Sequence, residues 1–241
     1  MGLFYAYVKN SKDDATYRYM ITFATRETAD DWWRALCETR WARHVARITP
    51  EFYTHSVGEF NVSASVHKGY LPQFQDRVFF TLLHDLGGRQ MSPLPKQDIT
   101  DHVSGNRFFI RAKVDPTQYW FVPHGQGGQG QQKVFLSRTD RTLFRVDIAN
   151  AGTSHGREIV MIVRDEITIT ALVDGKDAPV SVGHTERDDS NLVVGRTHDH
   201  FKFADFQGGF RATTSVTVSS MGEQLRGLGK AIHGEGWELV N

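Results

Sequence analysis

The stretch GQGGQG, Gly125–Gly130, decides the fold. It spells G-x-G-x-x-G, which in dinucleotide-binding folds follows a strand, opens a helix and holds a pyrophosphate at that helix's N-terminus. The strand-like QYWFV (118–122) stands before it, as that fold requires. QQKVFLSR (131–138) stands after it, and this segment is β-branched and aromatic, with no helix start. A parallel βαβ unit is therefore excluded, and HGQGGQGQQ (124–132) reads as a flexible loop joining two strands of a hairpin. Its glutamines, Gln126 and Gln129, carry amides suited to sugar hydroxyls.

Working outward, the chain beyond Gly105 reads almost wholly as short strands. RFFIRAKV (107–114), QYWFV, KVFLS (133–137), LFRVDI (143–148), EIVMIV (158–163), ITITALV (167–173), APVSV (178–182), LVVG (192–195) and FKFADF (201–206) are the candidates. Asp115-Pro116, Asp174-Gly175 and Gly208-Gly209 punctuate them. Such spacing predicts an antiparallel barrel, sandwich or trefoil-like arrangement. VFLSRTDRTLFRVD (134–147) also resembles LVVGRTHDHFKFAD (192–205), an internal echo compatible with a repeated β unit. The tail, SSMGEQLRGLGKAIHGEGWELV (219–240), predicts a weak helix broken at Gly227 and Gly229. A last strand carrying Trp237 is expected to return to the N-terminal layer.

The N-terminal part differs. LFYAYVK (3–9) and YRYMITF (17–23), the latter alternating at Tyr17, Tyr19, Ile21 and Phe23, predict a hairpin. Thr25 then caps an amphipathic helix whose apolar side carries Ala29, Trp32, Trp33, Leu36, Cys37 and Trp41. PEFYTHSV (50–57) predicts a short strand, NVSASVHKGYL (61–71) a short helix, and RVFFTLLHD (77–85) a strand before the loop LGGRQMSPLPKQ (86–97). The expected class is α+β and mostly β. Residues 1–104 form an α+β region and residues 105–241 a β-rich domain.

Composition narrows the function. Lys plus Arg and Asp plus Glu balance at 28 each over 241 residues, so no global basic field draws in a polyanion. Cys37 is the single cysteine, which excludes an internal disulfide and a multi-cysteine zinc site. The start, MGLFYAYVKN, lacks the h-region of a secretion signal, and no run of about 18 apolar residues offers a membrane span. A soluble, cytoplasmic protein is expected.

Three constellations could carry chemistry. In RTHDHF (196–201), His198 and His200 share one face of an extended segment and Asp199 the other. A metal would need a third ligand on the histidine side, for which His184, Glu186, Asp188 and Asp189 are the nearby candidates. The plainer reading is a polar turn, and neither metal nor cofactor is expected. On the tryptophan helix, Glu38 and Arg40 diverge, so RETADDWWRALCETRW (26–41) reads as an exposed charged face, and no residue is assigned a catalytic role. In DPTQYWFVPH (115–124), an exposed Tyr119 or Trp120 beside His124 is the arrangement that binds sugars: the ring packs on C–H groups and polar groups fix hydroxyls.

Two resemblances follow from these residues. YRYMITFATRETADDWWRAL (17–36) resembles the last strand and helix of a pleckstrin-homology domain, although too few strands precede it to complete that fold. The whole chain, lacking a signal, poor in cysteine and rich in β structure, resembles in type the cytosolic defence proteins of mushroom fruiting bodies, which are lectins and toxins. That resemblance implies either glycan binding or attack on ribosomal RNA by N-glycosylase or ribonuclease action. The Glu-Ala-x-x-Arg spacing of ricin-type glycosylases is absent. The leading expectation is thus a carbohydrate-binding module using Tyr119, Trp120, His124, Gln126, Gln129, His198, Asp199 and His200. The alternative is a ribosome-inactivating toxin with Arg107, Arg111, Lys113, Arg138, Arg141 and Arg145 lining a basic cleft.

Overall fold

Strands take 45% of the residues and helical turns 14%, which makes the chain mostly β. The computed structural model describes residues 2–12, 17–83, 99–123, 132–150, 158–183, 190–195 and 197–241. The glycine string, His124, Gln126 and Gln129, and the segment from His184 to Asp189, lie outside the described residues. The chain divides into two compact units, Met1–Asp101 and His102–Asn241.

In the first unit, β1 (Phe4–Asn10) and β2 (Tyr19–Phe23) pair antiparallel, with Phe4 opposite Phe23 and Val8 opposite Tyr19. The inward side of β2 is Tyr19, Ile21 and Phe23; Tyr17 sits outside the ladder at φ 53° and is exposed. Helix α1 (Arg26–Cys37) starts where Thr25 accepts a 3.1 Å bond from the Thr28 amide. Its Trp32 is fully buried against Phe23, Tyr53 and Phe80 and donates Nε1–H to Ser65 Oγ. The helix stops before the expected Trp41, because the Thr39 hydroxyl donates back to the Leu36 carbonyl at 2.8 Å in place of another helical turn. Trp41 instead stacks on Phe60 with ring centres 5.0 Å apart, and Cys37 is half-buried rather than part of the core. β3 (Val45–Thr49), β4 (Phe52–His55), α2 (Ala64–His67) and β5 (Val78–Leu82) complete the unit. The sheet order is β3-β4-β1-β2-β5, with β1 and β4 parallel.

In the second unit, β6 (Arg107–Ala112) buries Phe108, Ile110 and Ala112 and turns Arg107, Phe109 and Arg111 outward. β7 (Tyr119–Phe121), β8 (Gln132–Lys133), β9 (Phe135–Ser137), β10 (Phe144–Ile148), β11 (Glu166–Val173), β12 (Lys176–Val182), β13 (Leu192–Val194) and β14 (Phe201–Lys202) follow. β15 (Phe210–Val218), β16 (Gln224–Lys230) and β17 (Trp237–Val240) end the chain. The antiparallel sheet runs β15-β16-β9-β7-β6-β10-β11-β12-β13-β8, with β14 on β11 and β17 on β6. It curls into a half-barrel: the segment 132–137 meets β13 through β8 and meets β7 and β16 through β9. β7, before the glycine string, pairs antiparallel with β9, with Tyr119 opposite Ser137 and Phe121 opposite Phe135, while β8, directly after the string, pairs with β13.

Four expectations need correction. EIVMIV is not a strand: Val160 makes one bridge to Val103, and the Asp165 carboxylate then takes the Ile162 amide to form a turn. FKFADF is extended only at Phe201–Lys202, because Asp205 accepts from the Lys202 amide and winds Phe203–Gln207 into a 3₁₀ turn. LRGLGK is a strand and not a broken helix. A Cβ on Gly229 would stand 2.8 Å from the Ser190 carbonyl oxygen, so glycine here permits a close backbone approach. Trp237, finally, sits in the core of the second unit, since β17 pairs with β6 and not with the N-terminal layer.

Candidate functional site on the outer face of the second unit

The alternation of β6 puts Phe109 and Arg111 on the outer face, and the β6–β7 register sets Tyr119 opposite Arg111. Phe109 and Tyr119 meet edge to face, with ring centres 6.5 Å apart. From the segment before β10, Arg141 lays its guanidinium over both rings, 4.1 Å from the centre of Phe109 and 5.6 Å from that of Tyr119. Arg141 is exposed and has no carboxylate partner among the described residues. β17 adds Glu238 opposite Arg111, bonded at 2.6 Å. The Glu238 carboxylate, with help from the Tyr119 hydroxyl, holds Arg111 above its ordinary pKa. The result is a patch of two rings, one ion pair, and a guanidinium without a carboxylate partner among the described residues.

Among the expected basic-cleft residues, Arg107, Arg138 and Arg145 also hold carboxylates. Arg107 and Arg145 are cross-strand partners, a repulsive arrangement that Asp177 relieves by accepting 2.8 Å bonds from both. Arg145 also donates to Asp147 at 2.9 Å, and Arg138 pairs with Asp115 at 2.7 Å. Asp115 is held down to about 2 by the Thr117 hydroxyl and then by Arg138. The basic cleft expected from Arg107, Arg111, Lys113, Arg138, Arg141 and Arg145 is therefore largely neutralised in place.

The structure disperses the sequence-predicted site. Tyr119 is half-buried on the patch. Trp120 is not available to a ligand: it points inward with no exposure and packs edge to face on Phe144, Phe210 and Trp237. Neighbours on a strand face opposite sides, so only one of Tyr119 and Trp120 can reach solvent. His198 and His200 are exposed; the first meets the Thr170 hydroxyl at 3.0 Å and the second meets Glu166 at 3.3 Å. Asp199 turns away and accepts from the Val182 amide at 2.7 Å. Among the described residues no three His, Cys, Asp or Glu side chains gather as a metal would require. Phe109 was missed as a site residue and Arg141 was read only as part of a basic cleft. The outward position of Phe109 in the alternation of RFFIRA was the available signal.

No protein-family model matches the chain, and no curated protein matches it in sequence. Among the described residues no helix is long and apolar enough to cross a membrane.

Proposed function

We propose that the second unit is a carbohydrate-binding module of lectin type. The observation that carries this reading is the assembly of half-buried Phe109 and Tyr119 with exposed Arg141 beside the Arg111–Glu238 pair. Rings at a surface pack against the C–H face of a pyranose, and a fixed carboxylate and guanidinium beside them accept from and donate to its hydroxyls. The RNA-directed alternative draws less support, because Arg107, Arg111, Arg138 and Arg145 already hold carboxylates and would have to release them to neutralise phosphates.

A glycan array probed with the full chain tests the reading. Binding is expected, with a loss of tenfold or more in Tyr119→Ala. Undiminished binding in that variant, or release of adenine from ribosomes by the wild-type chain, would count against it. Trp120→Ala is the wrong probe: removing a fully buried tryptophan costs about 3–5 kcal/mol and would unfold the unit rather than empty a site.

A further inference from the structure

We infer that the patch selects acidic glycans, and that Arg141 reads the carboxylate of a uronic or sialic acid residue. This rests on the carbohydrate reading above and names its substrate class. A guanidinium stacked on rings uses its π faces for that contact and leaves its in-plane N–H donors pointing outward. Arg141 lies over Phe109, 4.1 Å from its ring centre, and 5.6 Å from that of Tyr119; the two rings stand at 87° to each other, so the guanidinium lies flat on one at most, and its exposure leaves N–H donors open to solvent. Arg107, Arg111, Arg138 and Arg145 on the same face are each bonded to a carboxylate, while Arg141 makes no hydrogen bond or ion pair among the described residues. The neighbouring Arg111–Glu238 pair contributes no net charge, so among the described residues Arg141 is the patch's one positive charge without a carboxylate, beside two half-buried rings. A ligand that matches both features has one anionic group attached to a body with C–H faces. A pyranose bearing a carboxylate has this form, and the fork geometry of arginine binds a carboxylate through two parallel N–H···O bonds. A polyphosphate chain would need several free cations along its length, and Arg107, Arg111, Arg138 and Arg145 here hold carboxylates.

The experiment is isothermal titration of the full chain with three probes: a sialylated or glucuronate-bearing oligosaccharide, its carboxyl-reduced neutral counterpart, and a single-stranded oligoribonucleotide. The acidic glycan should bind at least tenfold more tightly than the neutral one. Arg141→Gln and Arg141→Lys should bring that ratio close to one by lowering the affinity for the acidic glycan tenfold or more. Arg141 is exposed, so both variants are expected to fold. Equal binding of the two glycans by the wild type, or a preference that survives in Arg141→Gln, overturns the inference and leaves the lectin reading standing. Absence of binding to either glycan by the folded chain overturns both. Tighter binding of the oligoribonucleotide, with an affinity falling steeply with salt, overturns both in favour of the RNA alternative.

Discussion

Arg47 shows at the level of one residue how the first unit depends on buried charge. Its side chain is 3% exposed and donates to Asp30 at 2.6 Å and to Asp101 at 2.8 Å. Asp30 also accepts from Arg26 at 2.9 Å. On the α1 sequence Asp30 looks like part of a solvated face; the bulge in β3 near Arg47 brings a cation over it and makes it structural. Burial works against the charge on Arg47, but Tyr53, Asp30 and Asp101 outweigh it and hold its pKa above the ordinary value. Arg47→Ala leaves buried Asp30 with Arg26 as its only cation among the described residues and should cost about 3 kcal/mol in chemical denaturation. Glu51 sits in the same surroundings with Oε2 buried and unpartnered among the described residues. Burial, chiefly, raises its pKa above 4.5, so the proton is held more tightly in the folded state. Its contribution to stability is present below the unfolded value and is lost as pH rises through the folded one. Thermal melts should show a decline above the ordinary glutamate range that Glu51→Gln removes; an unchanged pH profile in that variant would contradict this.

Among the elements, the β15–β16 hairpin joins the sheet by pairing β16 with β9, and Glu223 reinforces that edge. Glu223 receives 2.6 Å bonds from the Ser137 hydroxyl, the Arg138 amide and the Thr139 hydroxyl. Burial pushes its pKa up, but these donors outweigh it and hold the carboxyl below the ordinary range. That contribution is present above the unfolded value and lost as pH falls through the folded one. Glu223→Gln should destabilise the unit by about 1–2 kcal/mol, read by urea melts. Gly229→Ala should cost about 1–3 kcal/mol by forcing β16 away from Ser190, and a neutral effect would contradict the close approach described. What the sequence made legible follows from pattern. RFFIRA and ITITALV alternate or run apolar, and both are strands. RATTSVTV (211–218) also lies in a strand, but Thr and Ser fill its faces and leave no apolar period to read. The glycines of β16 imitate helix breakers because their cause is a neighbouring strand, which no local pattern records.

At the level of the whole chain, the two echoed segments occupy related places. Phe144 in β10 and Phe201 in β14 are both buried and lie on strands that pair with β11. Tyr119 was legible as a site residue because an aromatic triplet on a strand must turn one side outward. The platform around it was not, because Arg141 reaches Phe109 only after β6, β7 and β9 have paired, and that register is long-range. This outer face, and not the glycine string, is expected to receive the ligand. The most direct test is an amide chemical-shift map of the isotopically labelled full chain, titrated with a glycan retained on the array and separately with a nicotinamide dinucleotide. The expected result is glycan-induced shifts gathered at Phe109, Arg111, Tyr119, Arg141 and Glu238, and none with the dinucleotide. Glycan-induced shifts that leave these five unmoved, or dinucleotide-induced shifts at Val122 and Lys133 beside the glycines, would contradict it.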